Sequence, residues 1–321
     1  MDRPLHILIA GAGAVGCYYG ARWQHAGHRV TFLARGDNLQ TLQSHGLHLD
    51  SIAGNLTLPS IDAVATPPAH PVDVVVVTVK AYATDTIIAQ IRPAVGPATV
   101  ILSLQNGIGN EERLAAACGD AHIAGGIAFI GAERVGAGHI RHTAAGWLTI
   151  GPWTRSAAAP VAALQQALNR GGVECRYSEH IRRDLWQKLM WNAAFNTTTC
   201  LTGTPAHALL AHTAGEALVV DAMREVQRVA AAEGITLSDQ ALDDFLATTR
   251  NMGPVRTSML VDREAGRRLE REAISGELLR RARAHGIEIP VQQVLYALLA
   301  TLEYDTTTST SDTKNHRLKG G

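Results

Sequence analysis

The stretch Ile7-Leu8-Ile9-Ala10-Gly11-Ala12-Gly13-Ala14-Val15-Gly16 decides the fold. A short apolar run feeds three glycines in the G-x-G-x-x-G spacing of a dinucleotide site. That spacing lets a strand turn tightly at Gly11, brings backbone close to a pyrophosphate at Gly13 and starts a closely packed helix at Gly16. The helix N-terminus then offers unpaired N–H groups and a favourable dipole to an anion. Glycine-rich turns also serve as plain strand-to-helix connections, so the rest of the chain has to specify the ligand.

Up to about residue 178, short β-branched runs alternate with helical stretches, the pattern of a parallel sheet covered on both faces. Strands are expected at His6–Ala10, Arg29–Leu33, 72–79 and 99–104, and Val74–Val77 is apolar on both faces, as a central parallel strand must be. Shorter strand-like segments at 138–142 and 147–151 read as extensions with antiparallel edges. From residue 181 to about 304 the chain is rich in Ala, Leu, Arg and Glu at helical spacing, broken at Gly203-Thr204-Pro205, Gly234, Gly253-Pro254 and 286–290. The expected organisation is α/β: a doubly wound sheet domain over 1–178, an all-helical domain over 179–305, and a polar Thr/Ser-rich tail over 306–321 that is expected to be disordered.

Lys plus Arg and Asp plus Glu number 29 each, so the chain carries no bulk field for nucleic acid or an anionic membrane, and its partners are expected to be small molecules or protein surfaces, a second copy included. The N-terminus runs within a few residues into the Gly11 motif, which leaves no room for a secretory signal, and no apolar run approaches the roughly 18 residues of a spanning helix. A cytoplasmic protein is expected. Cys17, Cys118, Cys175 and Cys200 lie far apart without a C-x-x-C pair and read as buried small hydrophobes. The histidine pairs His45/His48, His139/His142 and His207/His212 sit in no recognisable ligand set, and no metal is expected.

At the end of the second strand, roughly 20 residues past the glycines, an NAD site places an acidic residue on the ribose 2′-hydroxyl. Here the chain reads Leu33-Ala34-Arg35. A guanidinium cannot accept from a hydroxyl, but it holds a 2′-phosphate through paired charge-assisted bonds, so NADP(H) is the expected cofactor. Asp37, two residues on, keeps a ribose ligand for NAD available. Lys80 and Asn106 stand just past two further strands, on the sheet edge where ligands of such folds bind. Asn106-Gly107 is also a good turn in its own right. On a helix, Lys188, Asn192 and Asn196 recur every four residues and form one polar stripe beside Leu185, Leu189 and Phe195. The alternative is that Lys188 pairs with Asp184 on a solvated face. By spacing alone Ser258 is a helix-start residue and Glu270 a surface partner of Arg267 or Arg268.

With these residues laid out, the chain resembles the ketopantoate reductase (2-dehydropantoate 2-reductase) family from Ile7 to about Tyr304. The resemblance rests on Gly11 to Gly16, Leu104-Gln105-Asn106-Gly107-Ile108-Gly109, the segment 183–196, Ser258-Met259-Leu260-x-Asp262, and Gly276-Glu277-Leu278-Leu279 leading to His285-Gly286-Ile287. It implies an N-terminal Rossmann domain, a helical C-terminal domain and an active site in the cleft between them. It further implies that Lys188 is the general acid in NADPH-dependent reduction of a 2-oxo acid. Gly11, Ala12, Gly13, Ala14, Val15, Gly16, Arg35 and Lys80 would hold the cofactor, with Asn106 at its nicotinamide end, Glu270 beside it and Ala132, in the loop after Gly131, touching it. Asn106, Lys188, Asn192, Asn196 and Ser258 would hold the substrate.

The chain departs from the family where Asn-Pro-Leu-Thr-Ala often continues the helix, having Asn196-Thr197-Thr198-Thr199-Cys200 instead; Ala206 or its neighbours stand where a further substrate-binding asparagine is expected, and the residue three before Ser258 is Val255. Three readings follow: reduction of ketopantoate to (R)-pantoate for pantothenate and coenzyme A synthesis, reduction of another 2-oxo acid with the same machinery, or a non-catalytic NADP(H) sensor.

Overall fold

Alternating apolar runs and helical stretches give one sheet, described here with the rest of a computed structural model covering residues 3–119, 122–170 and 172–316, with side chains up to residue 303. Its strands are β1 (His6–Ala10), β2 (Arg29–Leu33), β3 (Leu47–Ser51), β4 (Leu56–Leu58), β5 (Asp62–Val64), β6 (Val74–Val77), β7 (Val100–Ser103), β8 (Ile123–Gly136), β9 (His139–Pro152) and β10 (Cys175–Tyr177). They run in the order β4-β3-β9-β8-β7-β6-β1-β2-β5, with β10 on β9. The run β5-β2-β1-β6-β7-β8 is parallel throughout and has the strand order of a doubly wound dinucleotide-binding sheet. Every residue of Val74–Val77 is buried, as a strand covered on both faces requires.

The helix Ala14–His25 lies close on this sheet because two of its residues lack side chains. A Cβ at Gly16 would stand 2.2 Å from the Gly11 carbonyl oxygen and 2.6 Å from Thr78 Oγ1, and one at Gly20 would stand 2.5 Å from the Phe32 ring. Trp23, Tyr19 and Phe32 fill the space beside them, all fully buried.

Two compact units emerge: residues up to Gln105 with Gly109–Leu185, and Asn106–Ile108 with the chain from Trp186 onward. Against the expected boundary after 178, the division falls inside the helix Ile181–Trp191, because that helix supplies apolar side chains to both cores. Leu185 closes on Gly125 in the sheet unit, whereas Trp186, Leu189 and Met190 belong to the helical core. The helical unit's expected breaks are all present, with Gly203, Gly234, Gly253 and Gly286 each at positive φ between helices.

Three expectations change. The segments 138–142 and 147–151 are one strand, His139–Pro152, because pairing with β8 continues across bulges through the intervening glycine-rich stretch. Strands β3, β4, β5, β8 and β10 had no counterpart in the sequence reading. The last helix runs from Pro290 to His316, so residues 306–316 of the expected disordered tail continue it, since a helix already nucleated extends one bond per residue. Residues 317–321 lie outside the described residues. No helix among the described residues is long and apolar enough to cross a membrane. Of the cysteines, Cys17, Cys175 and Cys200 are buried, with burial pushing the Cys17 and Cys175 thiols up to about 12; Cys118 is half-buried.

A buried histidine joins β3 to β9. His142 Nε2 lies 2.9 and 3.1 Å from the carbonyl oxygens of Ala144 and Ala145, and Nδ1 lies 2.8 Å from Ser51 Oγ. Arg22 Nη2 donates to that same hydroxyl at 2.9 Å, which leaves the hydroxyl proton for Nδ1 and the ring neutral. Burial lowers the His142 pKa, outweighing the two carbonyl contacts that raise it. A histidine whose folded pKa is depressed stabilises the fold above its unfolded pKa of about 6.5 and loses that contribution as pH falls below it. The urea midpoint should therefore drop as pH is lowered through about 6.5, and His142→Gln should flatten the drop. An unchanged pH slope in the variant would exclude His142 as its source.

Candidate active site

In the sheet unit the carboxyl ends of β6, β1 and β2 are neighbours, so topology alone brings Lys80, the Gly11–Gly16 loop and Arg35 to one edge. Gly11 takes φ +123°, and Gly13 is the N-cap of the helix Ala14–His25. No side chain caps that helix, and a Cβ built on Gly13 would meet nothing within 4 Å. The unpaired N–H groups of a helix start facing open space form an anion cradle, so these residues fit the pyrophosphate of a dinucleotide. Arg35 is exposed at the start of the helix Gly36–His45, with Asp37 also exposed in its first turn. Lys80 is half-buried.

The loop is braced by residues that spacing did not single out. Thr78 Oγ1 donates to the Gly11 carbonyl at 2.6 Å, and Asn38 Nδ2 donates to the Ala12 carbonyl at 2.9 Å. Gln105 Nε2 donates to the Val79 carbonyl at 3.0 Å and to Thr84 Oγ1 at 2.8 Å, which fixes the turn carrying Lys80. A polar residue just past a strand was the only signal for Thr78 and Gln105. Ala132 is placed in β8 opposite His142, not in a loop, because β8 resumes its pairing immediately after a bulge at Gly131.

The helical unit gathers the remaining residues around two π-helical turns, Asn192–Asn196 and Glu272–Gly276, which pack on one another. The expected uniform α-helical stripe is corrected here: Ile181–Trp191 is α-helical, Asn192–Asn196 is not, and Thr197–Thr202 resumes the α-helix. Such turns are rare and concentrate at functional sites. The carbonyls of the first are held by other donors, Thr197 Oγ1 to Ala193 at 2.6 Å and Thr199 Oγ1 to Phe195 at 2.7 Å. Asn196 Nδ2 donates to Asn192 Oδ1 at 3.2 Å, and both side chains are buried. That leaves Asn192 Nδ2 and Asn196 Oδ1 as a buried donor and acceptor without a hydrogen-bond partner among the described residues. Buried amide groups are ordinarily satisfied, so the pair is suited to a polar ligand. Lys188 stands one turn before Asn192 and is half-buried; Asp184 accepts from Ser178 and pairs with Arg183 at 3.1 Å.

Asn106 belongs to this same unit. Ile108 N donates to the Ala273 carbonyl at 3.2 Å, which ties the Asn106–Ile108 turn to the second π turn, and Asn106 Nδ2 donates to Glu270 Oε2 at 3.4 Å. Glu270 is buried, while Arg267 pairs with Asp262 at 2.8 Å. Glu270 is therefore buried beside Asn106 and not the surface residue its spacing suggested. Ser258 is exposed at the start of the helix Ser258–Glu264, whose N-cap is Thr257. The Thr257 hydroxyl lies 2.7 Å from that of Thr199, which ties the start of Ser258's helix to the segment after Asn196.

The turn at Asn106 depends on Gly107. Its φ is +86°, and a Cβ there would lie 2.1 Å from the Ala273 carbonyl oxygen. Gly107→Ala should cost about 1–3 kcal/mol through left-handed backbone and overpacking. Urea unfolding measures the loss, and a variant as stable as the parent would contradict this packing.

The family model for ketopantoate reductase PanE/ApbA matches residues 7–155, and the model for the C-terminal part of that family matches residues 180–303. A 2-dehydropantoate 2-reductase of Nostoc sp. is 34% identical over 301 residues, spanning 92% of this chain and 94% of the relative. The crystal structure of 2-dehydropantoate 2-reductase from Geobacter metallireducens is 37% identical, covers 92% of this chain and 99% of its own, and superposes with a TM-score of 0.88. A PanE/ApbA family ketopantoate reductase from Ralstonia eutropha is 31% identical, with coverage of 94% and 100% and a TM-score of 0.87.

Proposed function

The chain belongs to the ketopantoate reductase family of NADP-dependent oxidoreductases, and from that premise we propose that it reduces 2-dehydropantoate to (R)-pantoate, with Lys188 as the general acid. The observation that carries the reading is the half-buried Lys188 one turn before the Asn192–Asn196 pair, in the unit that also holds the Asn106–Glu270 contact. NADPH, when bound, supplies the hydride that reaches the 2-oxo carbon. Negative charge then develops on the ketone oxygen, which the Lys188 ammonium both stabilises and protonates. The free donor of Asn192 and acceptor of Asn196 suit the carboxylate and hydroxyl of such a substrate, with Ser258 as a further polar contact. Glu270 holds the Asn106 amide and so orients a group that touches nicotinamide and substrate. Arg35 selects NADPH by binding the 2′-phosphate, and the cradle at Gly11–Gly16 takes the pyrophosphate. On this reading the product serves pantothenate and coenzyme A synthesis.

A second reading keeps the chemistry and changes the substrate. Thr197, Thr198 and Thr199 are all buried next to Asn196, and Thr198 Oγ1 has no hydrogen-bond partner among the described residues, so the segment differs in polarity from the Asn-Pro-Leu-Thr-Ala continuation. A panel of 2-oxo acids with NADPH separates the two: 2-dehydropantoate far ahead in kcat/KM supports the first, and another acid ahead supports the second.

Two variants test the residues. Lys188→Ala should lower kcat by about 10²–10⁴ while NADPH binding persists, and undiminished turnover would remove Lys188 from the role. Arg35→Ala should raise the KM for NADPH about tenfold or more and leave that for NADH nearly unchanged, which steady-state kinetics with both cofactors would read.

A further inference from the structure

Outside the oxidoreductase site, two strands distant in sequence bring together a histidine, an aspartate and a second histidine. In the parallel pairing of β3 with β9, His48 stands opposite His139, and Asp50 is two residues further along β3. Side chains two apart in a strand share a face, so all three project from the same side of the sheet. His48 Nε2 lies 2.9 Å from Asp50 Oδ1, and His139 Nε2 lies 2.7 Å from Asp50 Oδ2. We propose that His48, Asp50 and His139 form a binding site for a divalent transition-metal ion of the Zn²⁺ class, clipping β3 to β9.

Three features favour a metal over a bare hydrogen-bonded triad. The donor atoms lie within 4.8 Å of one another, and an ion with bonds of about 2.0–2.1 Å sets tetrahedral ligands roughly 3.3 Å apart. Each histidine nitrogen stands 2.7–2.9 Å from its own Asp50 oxygen, so each of those two pairs has to open by roughly half an ångström to admit the ion. His48 is already oriented from behind: its Nδ1 lies 2.9 Å from Thr57 Oγ1 on β4, leaving Nε2 for the ion, as outer partners of ligating histidines commonly do. The side chains keep 36–45% of their surface exposed, so the ion has an entry path and a fourth position for water. Arg141, the register partner of Asp50, forms no ion pair with it among the described residues. Two nitrogens and one oxygen suit Zn²⁺, Ni²⁺ or Cu²⁺ and not Mg²⁺ or Ca²⁺.

The test is calorimetric titration of the full chain, stripped with chelator, with Zn²⁺. The parent should bind one equivalent more than His139→Ala, and Zn²⁺ should raise the melting temperature of the parent but not of that variant. Asp50→Asn should abolish the equivalent or weaken it at least tenfold, Thr57→Val should weaken it about tenfold, and Mg²⁺ should neither bind there nor raise the melting temperature. Equal stoichiometry and equal thermal response in parent and His139→Ala would overturn the proposal. If that variant does not fold, Co²⁺ added to the parent decides: intense tetrahedral ligand-field bands support the site, and a spectrum of hydrated Co²⁺ alone overturns it.

Discussion

The sheet unit depends on one close approach, the Gly11 carbonyl oxygen lying 2.6 Å from Thr78 Oγ1 with no side chain at Gly16 to hold them apart. The helix Ala14–His25 can begin immediately after β1 only because that volume is empty, and its first N–H groups face outward only because it begins there. Trp23, Tyr19 and Phe32 then lock its other end onto the sheet. Packing and ligand binding are in this sense one requirement: the same missing methyl group that lets helix and strand meet aims the anion cradle.

In the helical unit the corresponding device is a pair of backbone irregularities. The first π turn withdraws carbonyls from the regular ladder, and buried polar side chains answer them; in the second, the Ile108 N–H answers the Ala273 carbonyl. Gln292 Nε2 lies 3.4 Å from the Ala193 carbonyl and 3.2 Å from that of Ala222, while Thr197 and Thr199 bond back to the preceding turn. The threonines that replace the family's more usual residues are thus structural donors as well as pocket neighbours. The Asn106–Ile108 turn joins this arrangement through the Ala273 carbonyl, so one glycine, one carbonyl and two π turns define where Asn106, Glu270, Asn192 and Asn196 stand.

Much of this was legible in the sequence where a residue type has few alternative uses. The strands His6–Ala10 and Arg29–Leu33 carry short β-branched and apolar runs beside glycines and were read to the residue, and the four glycine breaks mark real helix ends. The strand β3 was missed because Leu47-His48-Leu49-Asp50-Ser51 alternates within a short polar stretch, and β5 has only three residues. The π turns were invisible because Lys188, Asn192 and Asn196 satisfy α-helical spacing equally well; the extra backbone residue leaves no trace in the pattern. Glu270 looked like a surface residue because its local neighbours are arginines, and only the fold reveals the Asn106 amide arriving from 164 positions away. His48 and His139 were each paired with the wrong histidine for the same reason: sheet register, which sequence spacing does not carry, chooses their neighbour.

The π turn at Asn192–Asn196 makes the residue count itself part of the site's chemistry. Deleting one residue there would restore an ordinary α-helix, an apparently harmless simplification. The flanking α-helices would keep nearly their present phase, since a π turn takes up one extra residue, but Asn196 would stand three residues after Asn192 instead of four, and the carbonyls now answered by Thr197, Thr199 and Gln292 would return to the regular ladder. In this segment substitutions and deletions therefore explore different landscapes. A changed side chain alters which polar groups stand buried here, whereas a changed chain length alters how they are spaced along the helix.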